Sequence, residues 1–584
     1  MKKSIIISMM VSMMLLTACG GGGNGGGDSS TTSSDQPSSS LGPTYEITIS
    51  ENAVTLALDS TKDLVATTNV AGVNIVWSSS DDTVASVDQS GKVTAKAEGT
   101  ARITATIEGR EEKVSCEITV VGNYIIQEAT EITVQTTFND TYAQVFKDAI
   151  ASLAKKEPNL TVNYSKYSGD YTMLKEAIIN GFSANNYPDV AVAYPDSVAD
   201  FINSGRQLRM DRIMDNEEYG WTAAEKADFY EAYLVEGSQY AVEGTYSLPI
   251  AKSTEGMYYD EEKLIGINLA SIDPTINGGN AITASYLDNL TWEELFNKLC
   301  PALLQYRESL PSEEQKKAFL DTTDDWAILG YDSGENLFIT LAEQYGYEYT
   351  SVNQVTAYGE VKFNNDGMKD LMKTFHAAAQ KKYIATKGTL GTAPNKLFTE
   401  DKVLLSVGST GGVGYQFSQS NPKNVRVARI PQAAGKTPKV IQQGPSLAFL
   451  QHNDNKENRR LGAWLFYKEL TSVQNCIVWA TTTGYSPIRK SVAKSDDFLD
   501  FSDPSDKDPK TVDRLKAYNV GYQASVSNYL FSSPVFKGSS DTRVYVGSLT
   551  TDIFTQADLT DAKVEELFQK AYDNSVLAIT GKVD

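Results

Sequence analysis

The stretch Thr130-Glu131-Ile132-Thr133-Val134-Gln135-Thr136-Thr137-Phe138-Asn139-Asp140-Thr141-Tyr142-Ala143-Gln144-Val145-Phe146-Lys147-Asp148-Ala149-Ile150-Ala151-Ser152-Leu153 passes from one hydrophobic period to another. Ile132 and Val134 alternate with polar residues, as in a strand. Tyr142, Val145, Phe146, Ala149, Ile150 and Leu153 then fall on one helical face, and Asp140 is predicted to cap that helix. The alternation continues with a strand at Leu160, Val162 and Tyr164, a helix from Met173 to Phe182, and a strand at Val190 and Val192. Strand and helix in turn predict a doubly wound α/β arrangement. Thr291-Trp292-Glu293-Glu294 reads as a capping box, and Lys456 to Leu470 as an amphipathic helix through Leu461, Trp464, Leu465 and Leu470. A region running from residue 130 to 584 exceeds one core, since cores stop growing near roughly 250–300 residues, so two α/β lobes are expected.

Upstream the texture changes. Between Tyr45 and Val121 short alternating runs (Val54, Leu56, Leu58; Ile75, Trp77; Ala101, Ile103, Ala105, Ile107; Val114, Cys116, Ile118, Val120) predict a β-sandwich. From Gly20 to about Gly42 the chain is Gly, Ser and Thr with few other residues, a flexible tether whose reach is roughly 25–30 Å. Lys2-Lys3, an apolar run from Ile5, and Leu16-Thr17-Ala18-Cys19 form a secretory signal over residues 1–18, too short to span a bilayer, which needs about 20 apolar residues. Leu16-Thr17-Ala18-Cys19 also resembles the end of a bacterial lipoprotein signal. That resemblance implies lipidation at Cys19 and attachment to the outer face of the cell membrane.

The bulk properties narrow the function classes. A net charge of −22 and a pI near 4.7 set the chain against nucleic acid and anionic lipid as partners, because both would repel it. Mean hydropathy is −0.30, and no second long apolar run follows Cys19. Beyond Cys19 the cysteines are Cys116, Cys300 and Cys476, in apolar contexts that predict buried core thiols with no readable disulfide framework. His376 and His452 are the only histidines, so transition-metal sites and histidine-based catalysis have little material; no cofactor is expected.

Two resemblances give these segments a meaning. Ile75-Val76-Trp77-Ser78-Ser79-Ser80-Asp81-Asp82-Thr83-Val84-Ala85-Ser86-Val87-Asp88, with Ser90-Gly91-Lys92-Val93-Thr94-Ala95 and Glu98-Gly99-Thr100-Ala101, resembles the bacterial Ig-like group 2 family. This implies an Ig-like domain over 44–122, a spacer or surface contact with Trp77 in its core. Downstream, five landmarks resemble the extracellular solute-binding proteins of ABC transporters. They are Tyr187-Pro188-Asp189-Val190-Ala191-Val192-Ala193-Tyr194-Pro195-Asp196, Tyr246 to Asp260, Leu290 to Leu295, Phe398 to Val403 with Gly408-Ser409-Thr410-Gly411, and Gly484-Tyr485-Ser486-Pro487-Ile488-Arg489-Lys490.

The second resemblance implies a two-lobe, periplasmic-binding-protein-like (type II) domain over 128–584. Lobe 1 would take about 130–250 and 445–485, lobe 2 about 255–440 and 487–584, with three interlobe crossings near 250, 445 and 485 closing by hinge motion over a ligand. It further implies a monomer that passes a small carbohydrate to the transmembrane subunits of an ABC permease. Mapped from the family, the ligand positions are Tyr171, Asp196, Ser253, Thr410, Gly444, Tyr485 and Arg543. A sugar site needs acceptors and donors for hydroxyls and aromatic faces for the ring. Asp196 suits hydroxyls, or caps the helix that follows it. Arg543 suits a carboxyl or phosphate, or pairs with an acidic neighbour. Asp140 and Tyr142 near the first helix start are outside candidates, since capping explains the first and core packing the second. Ala193 and Thr410 stand where maltodextrin-binding relatives carry tryptophan, which argues against maltose itself. Trp221, Trp326 and Tyr331 are possible replacements but sit in core-like patterns, and the polar loop Gly330-Tyr331-Asp332-Ser333-Gly334-Glu335-Asn336 is a candidate reading surface for lobe 2.

The ligand reading is an oligosaccharide, with glycerol phosphate or a phosphodiester as the alternative. A surface glycan-active enzyme or an adhesin is a further alternative. No catalytic residues are expected: the two S-x-x-K matches, at Ser152 to Lys155 and Ser491 to Lys494, lack partner motifs, and G-x-S-x-G, Walker A and HExxH are all missing.

Overall fold

The computed structural model describes residues 45–121, 125–353, 356, 358–454, 456–503, 508 and 510–582, and the chain divides after Val120 into two compact units. The leader, Cys19 and the tether expected over residues 1–43 lie outside the described residues.

The first unit is a β-sandwich. A four-stranded sheet orders Ala53–Ala57, Lys113–Val121, Gly99–Ile107 and Ile75–Ser79, and a three-stranded sheet orders Thr61–Asp63, Lys92–Ala95 and Ala85–Val87. The period-two residues of the sequence point inward: Ile103, Ala105, Cys116 and Ile118 are fully buried, and Trp77 packs in the same core. Gly91 lies at φ +87°, and a Cβ there would strike the Leu64 carbonyl and the Trp77 indole, so only glycine fits under that ring.

The second unit is built on two sheets. In chain order the strands of these two sheets are β1 (Thr130–Thr136), β2 (Leu160–Lys166), β3 (Val190–Ala193), β4 (Ser247–Pro249), β5 (Glu255–Asp260), β6 (Ala327–Tyr331), β7 (Ile384–Thr386), β8 (Val403–Ser409), β9 (Val425–Ala428) and β10 (Ser446–Phe449). Lobe 1 holds the order β2-β1-β3-β10-β4, with β1 parallel to β2 and β3, and β10 antiparallel to its neighbours. Lobe 2 holds β7-β6-β8-β5-β9, with β6 parallel to β7 and β8, and β5 antiparallel to β8 and β9. Covered on both faces, the inner strands read as unbroken apolar runs: every residue of Val190-Ala191-Val192-Ala193 is buried.

Helices flank each sheet. Those that matter below are α1 (Asp140–Lys156), α2 (Tyr171–Gly181), α3 (Pro195–Asn203), α4 (Gly334–Tyr345), α5 (Glu457–Leu470), α6 (Val473–Thr483), α7 (Val512–Ser525) and α8 (Ser539–Thr555). The cap of α1 is Asn139, whose side chain accepts from the Tyr142 amide at 3.0 Å; Asp140, expected as the cap, sits one residue later in the first turn. Buried tryptophans anchor both lobes through their indole N–H groups. Trp464 donates to the Tyr219 carbonyl at 2.8 Å in lobe 1, and Trp292 to Gln344 Oε1 at 2.8 Å in lobe 2.

The chain passes from lobe 1 to lobe 2 between Pro249 and Glu255 and returns between Ala428 and Ser446. Lys252 bridges to Ser486 and Ser253 to Gln443, so three connecting segments lie side by side. The final passage differs from expectation. The resemblance implies lobe 2 from residue 487, yet Ile488, Val492 and Phe498 fill the lobe 1 core, and Leu515 is the next buried apolar residue, in the core of lobe 2. The apolar triplet outcompetes an early crossing: after touching the connecting segments at Ser486, the chain folds back to bury it.

Candidate functional site

The carboxyl ends of β3 and β6 face each other across the lobes, and each runs straight into a helix. β3 ends at Ala193 and α3 begins at Pro195, whose missing N–H costs nothing at a helix start. β6 ends at Tyr331 and α4 begins at Gly334, capped by Ser333, which accepts from the Asn336 amide at 3.0 Å. Ligands of α/β sheets sit beyond the carboxyl ends of the strands, where such helices start. A cavity of about 440 Å³ occupies that position. Lobe 1 lines it through Tyr171, Lys175, Tyr194, Asp196 and Glu236, lobe 2 through Asp332, Glu335, Asn336 and Arg543, and the connecting segments through Gln442, Gln443 and Gly444.

Tyr171 opens α2 and meets Tyr194 edge to face, with ring centroids 4.9 Å apart. Burial raises the Tyr171 hydroxyl far above the ordinary tyrosine range, and burial pushes that of Tyr194 up to about 12, so both remain neutral donors. Asp196 lies in the first turn of α3 and is not its cap, which is the backbone of Tyr194. Its carboxylate turns across the cleft instead: Ser539 Oγ, at the start of α8, donates to it at 2.7 Å, and Arg543 Nε stands 3.7 Å away. Arg543 also donates to the Asn336 side-chain oxygen. Asp196 is therefore a contact between lobes as well as a wall of the cavity.

Gly444 takes φ +99°, and a Cβ on it would overlap the Ala251 carbonyl oxygen. Behind it Lys252, fully buried, pairs with Glu236 and donates to the Gly444 carbonyl at 3.1 Å and Ser446 Oγ at 2.9 Å. Asp332 receives the Ser409 amide at 3.3 Å. Glu255 accepts from the Tyr331 hydroxyl and from Gln443 Nε2 at 3.3 Å. Burial raises both carboxyls well above the carboxylate range, and the Asp332 charge raises Glu255 further.

Of the seven positions mapped from sequence, the cavity brings together Tyr171, Asp196, Gly444 and Arg543. The other three stand beside it. Ser253 shares a hydrogen bond with Ser409 Oγ at 3.2 Å. Thr410 is wholly buried, accepting from the Thr254 amide at 2.9 Å and donating to Gln523 at 3.0 Å, so its hydroxyl is committed inside the protein. Tyr485 stacks on Trp479 at 5.9 Å and meets Tyr142 edge-on at 6.2 Å. Its buried hydroxyl is raised further by Tyr171 and Tyr194, which extends the tyrosine wall from the cavity toward Trp479. Tyr142 belongs to that wall, whereas Asp140 is exposed and pairs with Lys166 at 3.4 Å. Trp221 packs on Trp464, Trp326 packs against the lobe 2 core, and Tyr331 is fully buried, so none of the three replaces a cleft tryptophan. Sequence reasoning missed Tyr194, Glu236, Gln442 and Gln443. Tyr194 carried a usable signal, an aromatic residue directly between a buried strand and Pro195; the other three have none, because the fold alone carries them to the cleft.

The family model for bacterial extracellular solute-binding proteins matches residues 148–505. The chain belongs to that family. Residues 43–118 match the bacterial Ig-like domain, group 2. None of the curated proteins matches the chain. Solved structures share the fold of this family member at low identity. The GacH receptor of Streptomyces glaucescens GLA.O, solved unliganded and with acarbose, is 14% identical with a TM-score of 0.53, over 76% of this chain and 98% of the other. UgpB from Mycobacterium tuberculosis, solved with glycerophosphocholine, is 15% identical with a TM-score of 0.57, over 78% and 100%. The maltose/maltodextrin-binding domain MalE from Bdellovibrio bacteriovorus, bound to maltotriose, is 15% identical with a TM-score of 0.53, over 76% and 100%. The fold is thus an Ig-like β-sandwich followed by a two-lobe, solute-binding α/β domain.

Proposed function

We propose that this chain is the substrate-binding component of an ABC importer, capturing a carbohydrate, an oligosaccharide by the size of its cleft, through hinge closure and handing it to a permease. The observation that carries the reading is the interlobe cavity, where tyrosine faces from lobe 1 stand among carboxylates and amides from both lobes. Aromatic faces suit the C–H surface of a sugar ring, and planar polar groups suit its hydroxyls. Attachment through Cys19 and its tether would keep the receptor at the permease, and among the described residues no helix is long and apolar enough to cross a membrane.

The glycerol phosphate or phosphodiester alternative rests on Arg543. Its charge is already shared with Asp196 and Asn336, and Lys175 pairs with Asp200 at 3.3 Å, which favours the neutral polyol. A thermal-shift screen of the purified protein against mono- and oligosaccharides, glycerol phosphates and phosphodiesters separates these readings, because a bound ligand raises the melting temperature by mass action. Stabilisation by sugars without product formation is expected. Turnover of a glycan would sink the receptor reading, and stabilisation by phosphorylated ligands alone, lost in Arg543→Ala, would move the substrate to a phosphate ester. For the anchor, incorporation of an azido fatty acid in cells should be lost in Cys19→Ser; label retained by that variant would place the lipid elsewhere.

A further inference from the structure

The charges of the cavity do not balance, and the imbalance lies on one side. Its lining holds five carboxylates, Asp170, Asp196, Glu236, Asp332 and Glu335, against two cations, Lys175 and Arg543. Both cations already face a carboxylate, Lys175 that of Asp200 and Arg543 that of Asp196, while Lys252 answers Glu236 and Asp170 caps α2 through the Met173 amide at 2.9 Å. Asp332 and Glu335 remain, with Glu255 behind them. Among the described residues no lysine or arginine pairs with any of the three within 4.0 Å. Lys387 acts on Asp332, and Arg543 on Glu255 and Glu335, only from farther away, and Asp332 accepts one backbone amide, that of Ser409. One further polar group of the lining has no hydrogen-bond partner. Ser533 Oγ is buried in the lining without a hydrogen bond. Behind the lining, in the core of lobe 2, the hydroxyl of Tyr349 is also unpartnered and feels the charges of Arg543, Asp196 and Glu335.

We propose that the solute carries a protonated primary amine, an amino sugar, whose ammonium group is held by Asp332 and Glu335 at the start of α4. This rests on the receptor reading above and narrows its substrate. Facing a sugar hydroxyl, the buried pair keeps its proton and makes only neutral hydrogen bonds, whereas facing an ammonium it can ionise and make charge-assisted ones. An ammonium donates three hydrogens and cancels one charge. Tyr171 and Tyr194 would present ring faces that favour a nearby cation over a neutral group. Burial keeps a proton on the Asp332 and Glu255 pair near neutral pH, so binding an ammonium releases that proton to solvent, while a neutral sugar has no reason to do so.

The test is isothermal titration of the purified protein with matched sets: glucosamine, N-acetylglucosamine and glucose, and the galactose and mannose equivalents. The expected result is that within one set the free amine binds about tenfold or more tighter than both counterparts. Its apparent enthalpy should also shift between buffers of different ionisation enthalpy, reporting proton release. Asp332→Asn should erase the preference, and Glu335→Gln should reduce it if Asp332→Asn melts below the parent. Equal or tighter binding of the neutral members overturns the amine proposal and leaves the receptor reading standing. Failure of every saccharide of both kinds to bind overturns both.

Discussion

At the scale of single residues, Gly444 and Asp332 make the sharpest demands. Gly444 combines a left-handed backbone with contact against Ala251, so Gly444→Ala should cost about 2–4 kcal/mol, read as a lower denaturant midpoint with unchanged slope. A midpoint equal to the parent's would mean that the segment relaxes freely. Asp332 titrates ordinarily at 3.8, and burial lifts it to about 7 in the fold. The native carboxyl keeps its proton where the unfolded chain has lost it. Its contribution is therefore complete below pH 3.8 and is lost as pH rises through about 7. In the absence of ligand, Asp332→Asn should gain on the parent in melting temperature across that window, and parallel melting profiles would argue against the buried carboxyl. Much of this chemistry was legible in sequence: the loop from Gly330 to Asn336 stood out as polar between apolar runs. Tyr194 was less legible, because the family resemblance points to its neighbour Ala193, whereas the ring that lines the cavity belongs to the next residue.

At the scale of elements, α3 and α8 are held end to end by a short contact between lobes. Removing it in Asp196→Ala eliminates an acceptor for Ser539 and the partner of Arg543, and such charge-assisted bonds are worth about 1.5–3 kcal/mol. We expect ligand affinity to fall about tenfold or more, with a more open average shape in small-angle scattering of the unliganded protein. Unchanged scattering together with unchanged affinity would show that closure does not use this contact. Strands and helices of this unit were legible through their patterns: alternation in β1, helical spacing in α1 and an unbroken apolar run in the doubly covered β3. The last passage between lobes did not. Gly484-Tyr485-Ser486 touches the connecting segments, as a crossing should, but Ile488, Val492 and Phe498 pull the chain back into lobe 1. Three apolar residues spaced over short helical turns say that a core exists nearby, and only the fold says which.

At the scale of the molecule, two compact units should answer differently to ligand. A solute at 100 times its dissociation constant stabilises the unit that binds it by about 2.7 kcal/mol and leaves the other untouched. Calorimetry of the protein should therefore show one transition moving with added ligand and one staying in place. Trp77→Ala, which empties the centre of the sandwich, should lower only the second by about 3–5 kcal/mol. A single transition moving as a whole would contradict the division at Val120.

The three buried thiols give this molecule its own internal clock. Cys116 lies in the sandwich, Cys476 in the core of lobe 1 and Cys300 in that of lobe 2, each free and shielded. A small alkylating reagent therefore reaches each sulfur only when the surrounding body opens. Pulse alkylation followed by peptide mass spectrometry would time the opening of sandwich and lobes separately without any engineered label, and a bound solute should slow modification of Cys300 and Cys476 together while leaving Cys116 at its original rate.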